Sequence, residues 1–147
     1  MNTRDEFVAY FREIHPKFSR FYTTLLEDTD LTLPQYALLN QLNLLGSISM
    51  TEISERLRIT KPAVTNLVDR LEEKKLLRRT AHPNDRRIIL LEMLPKGKKI
   101  ITSIETSNLN LLLKAYDQFD ANEHRTISRF YSTLSKTMDD FLMRSKK

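Results

Sequence analysis

SMTEISERLRITKPAVTNLVDRLEEKKLLRRTAHPNDRRIILLEM, residues 49–93, is the stretch that decides the fold. Ser49 followed three residues on by Glu52 is a capping box, and it opens a short helix with Ile53 and Leu57 facing inward. The chain turns at Arg58 and Ile59. Thr60 then caps a second helix, in which Val64, Leu67, Val68 and Leu71 fall at i, i+3, i+4 and i+7, the spacing of one buried face. Past Lys75 the period changes. Leu77–Thr80 and Arg87–Met93 read as two strands rich in β-branched and apolar residues, joined by the polar turn His82-Pro83-Asn84-Asp85. Two helices joined by a tight turn and followed at once by a basic hairpin spell a winged helix-turn-helix.

The flanks are helical as well. Upstream, Thr32 and Gln35 form a second capping box, and the helix it opens runs through Tyr36, Leu38, Leu39 and Leu42 to a stop near Gly46. Before it, residues 5–27 carry an aromatic-rich stripe at spacings of three and four, which Pro16 is expected to kink or split. Downstream, Pro95 suits the first turn of a long helix reaching Tyr116, and Asp120 with Glu123 caps a last one. The stripe of that last helix, Ile127 to Leu142, is longer than the middle unit alone can cover. The fold class expected is mainly α, a winged helix-turn-helix with long terminal helices that dimerise. Residues 1–147 read as one domain, with the DNA-binding part at 31–97 and dimerisation helices at 1–30 and 98–147.

Composition narrows the function. The 147 residues are 40% apolar and 29% charged, with no cysteine, which excludes disulfides, Cys-ligated zinc, iron–sulfur clusters and thiol redox sensing. No apolar run approaches the roughly 18 residues of a membrane span and the first ten lack a signal peptide's pattern, so no membrane association and a cytoplasmic address are expected. The formal charge of +5 is unevenly spread. Between Arg56 and Lys99 there are 13 basic against five acidic residues, a local +8, so the rest of the chain sums to −3. Such a concentrated positive field suits a polyanion. His15, His82 and His124 show no ligand spacing, and no phosphate-binding glycine loop, G-x-S-x-G or H-E-x-x-H occurs. No metal, cofactor or catalytic residue is expected; an enzyme is the class least supported.

The chemistry for nucleic acid sits on the second helix and the hairpin. With Val64, Leu67, Val68 and Leu71 turned to the core, the opposite face presents Lys61, Pro62, Thr65, Asn66, Asp69 and Arg70 behind the cap Thr60; of these Thr, Asn and Arg can bond base edges or phosphates in a major groove, and Thr60, Lys61, Pro62, Thr65, Asn66 and Arg70 are the DNA-contact candidates. At the hairpin tip Arg86 and Arg87 suit an adjacent minor groove, and Asp85 suits a role orienting one of them through a charge-assisted hydrogen bond. Taken alone, two arginines in a turn are as readily a solvated surface; their place after a helix-turn-helix favours DNA. The aromatic residues Phe11, Phe18 and Tyr22, with Arg20 and Tyr36 as polar partners, form a candidate effector pocket, although aromatics at that spacing serve equally as dimer core.

The stretches LTLPQYALLNQL from Leu31, TEISERLRITKPAVTNLVDRLEEKKLLRR from Thr51 and NDRRIILLEMLPKGKK from Asn84 resemble the MarR (multiple antibiotic resistance regulator) family of winged-helix transcription regulators, over essentially the whole chain. The D-x-R signature, here Asp85 and Arg87, is the most specific match. The resemblance implies a homodimer formed by the first and last helices, a double-stranded inverted repeat bound by paired recognition helices and wings, and often a small aromatic or phenolic effector that weakens binding; a repressor is the role expected, with activation left open. This chain departs from the family pattern in three places. Lys74-Lys75 replaces Lys-Gly, which removes a glycine C-cap and predicts a looser helix end. Leu94-Pro95 replaces a capping threonine. Asn66 stands where a longer basic residue is common. The alternative class, a winged-helix module docking on protein or RNA, is less well served, because its docking face would carry exposed aromatics.

Overall fold

Side-chain caps fix where the helices begin. In the computed structural model, which describes residues 2–144, Asn2 caps α1 (Thr3–Glu27) by accepting from the amides of Arg4 and Asp5 at 2.8 and 3.1 Å. Pro16 lies inside α1 without dividing it. Pro16 and Arg12, whose carbonyl loses its helical donor, are both in exposed residues, where water can replace the missing bond. The Thr32–Gln35 box is complete at the start of α2 (Leu33–Leu45). At α3 (Met50–Leu57) only half of the expected box forms. Ser49 accepts from the Glu52 amide at 3.1 Å, but the Glu52 carboxylate turns outward to Arg56 at 3.0 Å.

Arg58 ends α3 in the left-handed conformation, φ 52°, and Thr60 starts α4 (Lys61–Glu73) by accepting from the Ala63 amide. The C-terminus of α4 corrects the expected loose end. Lys75 takes the left-handed position, φ 59°, that glycine holds elsewhere; its amide bonds the Glu72 carbonyl and the Leu76 amide bonds that of Leu71, both at 2.9 Å. This is a complete Schellman motif, with Leu71 and Leu76 both buried across it.

The wing is β2 (Leu77–Ala81) and β3 (Ile89–Met93), antiparallel from Leu77↔Met93 to Ala81↔Ile89. β3 begins two residues later than the sequence suggests. The turn closes through the His82 amide to the Ile88 carbonyl and the Ile88 amide to the Asp85 carbonyl, both 3.0 Å, so Arg87 and Ile88 belong to the turn. A third strand that the sequence did not announce, β1 (Ile48–Ser49), pairs with β3 and gives the order β1-β3-β2. Two residues are too few to show an alternation.

The chain divides into two compact units, one up to Ser107 and one from Asn108 onward. The core of the first is a single cluster. Leu38 and Leu39 of α2, Ile53 of α3, Val64, Val68 and Leu71 of α4, Leu91 of β3 and Ile101 of α5 (Pro95–Tyr116) are all buried. Gly97 is required where α5 begins: a Cβ there would lie 2.3 Å from the Leu76 carbonyl oxygen, which accepts from the Leu94 amide at 2.9 Å. That backbone contact starts α5 in place of a side-chain cap. In the second unit Asp120 and Glu123 form a full capping box ahead of α6 (Ala121–Arg144). The His124 ring stacks on Tyr116 at 3.9 Å and its Nε2 lies 2.8 Å from the Tyr116 carbonyl oxygen. No residue of α6 is buried.

Candidate nucleic-acid interface

Burial of Val64, Val68 and Leu71 sets which face of α4 is left over. Lys61, Pro62, Thr65, Asn66, Asp69 and Arg70 are all exposed, and Thr60 is exposed at the cap. The Thr65 hydroxyl donates to the Lys61 carbonyl at 3.1 Å, and Arg70 Nε donates to Asn66 Oδ1 at 3.1 Å. Each polar group is therefore held by its own helix while keeping further capacity outward: an acceptor lone pair on Thr65, the amide N–H groups on Asn66.

At the tip of the wing, Asp85 Oδ1 accepts from both the backbone N and the Nε of Arg87, at 3.0 and 3.2 Å. Asp85 is the orienting group the sequence suggested for one of the two arginines, and it holds Arg87. The Arg87 side chain remains 93% exposed, so its charge is placed but not consumed. Arg86 is exposed beside it.

Three other basic residues of this region are engaged in ion pairs. Arg79 reaches from β2 to two carboxylates of α4, pairing with Asp69 at 2.6 Å and with Glu72, whose other oxygen accepts from the Arg79 amide at 3.0 Å. Burial works against the charge of this guanidinium, yet the bonds to Asp69 and Glu72 outweigh it and raise its pKa above the ordinary value. Arg79 is thus the brace between the wing and α4. In the sequence Arg79 reads as part of a solvated basic run or as a phosphate contact; the signal of the brace is two carboxylates three apart on a helix, followed by an arginine on the next strand. Lys74 bonds the carbonyl and carboxylate of Asp30, and Arg78 pairs with Glu92 across the strands.

The aromatic candidates are not brought into one cavity. The Tyr22 and Tyr36 rings approach to 6.0 Å, and Phe11 is exposed on α1 against the His15 ring. Phe18 is half-buried and Arg20 exposed. Desolvation, helped by Tyr22 and Glu105, raises the pKa of the Tyr36 phenol. A groove of about 940 Å³ lies elsewhere, between the end of α1, the α1–α2 loop and α4, and none of these five residues lines it.

The site is thus a helix-turn-helix braced to an antiparallel wing, with an exposed polar face on α4 and an arginine held at the wing tip. The model of the MarR family matches residues 31–89. The chain is 30% identical over 112 residues to the uncharacterized HTH-type transcriptional regulator YsmB of Bacillus subtilis, covering 76% of this chain and 75% of that one. It is 36% identical over 89 residues to the B. subtilis HTH-type transcriptional repressor MdtR, covering 60% and 55%. A solved MarR family protein from Bacillus stearothermophilus superposes with a TM-score of 0.80 at 25% identity, covering 95% of this chain and 99% of that one. The chain belongs to the MarR family of transcription regulators. Among the described residues no helix is long and apolar enough to cross a membrane.

Proposed function

We propose that the protein is a homodimeric repressor that binds an inverted repeat in double-stranded DNA and is released by a small aromatic effector. One observation carries the DNA half of this reading: Arg87 is held by Asp85 yet fully presented, the arrangement expected of a side chain inserted into a narrow minor groove. Thr65, Asn66 and Arg70 then read base edges, while Thr60, Lys61 and Pro62 bring the N-terminus of α4 to phosphate. Arg86 adds a second charge at the wing. A dimer is supported by the apolar residues that α1 and α6 leave exposed, Tyr10, Phe11 and Ile14 on one and Tyr131, Met138 and Met143 on the other. Repression is the role named for the relative MdtR, and the Tyr22–Tyr36 pair is the aromatic surface closest to an effector site of the expected kind.

Selection of bound genomic fragments tests this reading. A two-fold pair of recognition helices about one turn of B-DNA apart demands one inverted repeat with half-sites roughly 10 bp apart. Arg87→Ala should then weaken the selected site by about 1 to 3 kcal/mol without lowering thermal stability. Recovery of no common motif at moderate salt, or unchanged affinity of Arg87→Ala by anisotropy, contradicts it.

A further inference from the structure

The groove beside α4 has the size of a small-molecule site, about 940 Å³, and its lining is unequally charged. Four carboxylates face it, Glu27, Asp30, Asp69 and Glu73, against Arg70 and Lys74. Two of the four are already used, Asp30 by Lys74 and Asp69 by Arg79. Glu27 and Glu73 have no ion pair or hydrogen bond among the described residues. The second feature is independent of charge. Gln35 is 97% buried and lines the same groove. Its Oε1 is occupied, accepting from the Thr32 amide at 3.1 Å and from Lys74 Nζ at 3.4 Å, while its Nε2 has no partner among the described residues. That nitrogen opens on the groove, where it can donate to an acceptor. Leu26, Leu31 and Leu33 supply the apolar wall.

We propose that this groove binds a small organic cation carrying a carbonyl acceptor, with its positive end at Glu27 and Glu73 and its carbonyl at Gln35 Nε2, and that the ligand and DNA exclude one another. Exclusion follows because Asn66 and Arg70, bonded to each other, belong both to the groove wall and to the reading face. A cation in the groove repels the Arg70 guanidinium and disturbs that pair. This coupling rests on the reading of α4 as the DNA-contacting helix; binding to the groove does not.

Three probes of one shape separate the two. Calorimetry on the full chain without DNA should detect 4-(aminomethyl)benzamide, with 4-methylbenzamide at least about tenfold weaker and 4-carboxybenzamide undetected. Glu27→Gln with Glu73→Gln should weaken the cation at least about tenfold, with melting temperature retained. Benzylamine, which keeps the cation and lacks the carbonyl, should also bind more weakly than 4-(aminomethyl)benzamide. Binding of the carboxylate probe as tightly as the amine, or indifference of the amine to the double substitution, overturns the site. In a separate titration the amine should lower affinity for the selected DNA in the parent chain and not in the double variant; a groove that fills with no change in DNA affinity overturns the exclusion alone.

Discussion

α4 and α6 carry the same kind of apolar stripe, yet α4 buries Val64, Val68 and Leu71 and α6 buries nothing. The difference does not lie in the pattern. It lies in what surrounds each helix: α4 belongs to a closed cluster with α2, α3 and the sheet, whereas Tyr131, Met138 and Met143 of α6 are more than half exposed. Periodicity states that a face needs cover, and only the neighbours decide whether the chain itself provides it. The winged-helix unit closes a core of its own; the stripe of α6 is left uncovered among the described residues.

Substitutions on the two stripes should break in different ways, and this is the largest effect expected. Leu71→Ala removes a fully buried side chain and should cost about 2 to 5 kcal/mol of unfolding free energy at every protein concentration. Met138→Lys places a charge where there is no burial, so it should leave the winged-helix fold intact, lower the sedimenting mass and make specific DNA binding weak and salt-sensitive. If Met138→Lys instead costs as much stability as Leu71→Ala at all concentrations, α6 is packed within its own chain and the contrast fails.

Gly97 tests the self-sufficiency of the first unit from its backbone. Alanine there drives a methyl group against the Leu76 carbonyl, the atom that anchors α5 through the Leu94 amide. Both partners are main chain and cannot swing aside, so Gly97→Ala should cost about 1 to 3 kcal/mol in chemical denaturation. A variant as stable as the parent would mean that α5 shifts freely on the winged helix.

Much of this architecture was legible in the sequence because capping boxes and a 3.6-residue period are local. Thr32 with Gln35, Thr60, and Asp120 with Glu123 all mark helix starts that the structure has. What escaped was set at a distance. β1 exists only because β3 lies beside it, and the Glu52 carboxylate leaves its capping box for Arg56. The same holds at the site. The exposed face of α4 followed from its buried one, but the Arg79 brace and the groove depend on which elements the fold brings together.

The end of α4 gives a smaller effect of opposite sign. Lys75 occupies a left-handed position in an otherwise complete Schellman motif, and a side chain there costs about 1 kcal/mol relative to glycine. Lys75→Gly should therefore raise unfolding free energy by up to about 1 kcal/mol, less the entropy glycine adds to the unfolded chain. No gain, with the same fold, would show that the lysine stem compensates by packing.

Acidification separates the two helices most finely, because their caps differ chemically. Thr60 caps α4 with a hydroxyl that does not titrate, whereas Asp120 caps α6 with a carboxylate accepting from the amides of Asn122 and Glu123 at 2.7 and 3.0 Å. Those two bonds, that to Glu123 first, hold the Asp120 pKa below its ordinary value of 3.8. A carboxylate with a lowered folded pKa contributes stability that is present above its unfolded value and is lost as pH falls through the folded one. The first turn of α6 should accordingly lose amide protection below about pH 4, while that of α4 persists. Hydrogen exchange at Asn122 and Glu123, compared with Ala63, measures the difference. Asp120→Asn keeps a capping acceptor without the titration, so it should retain the turn and flatten its pH dependence. Equal loss of protection at both helix starts, or an unchanged pH profile in Asp120→Asn, would place the acid sensitivity elsewhere in the fold.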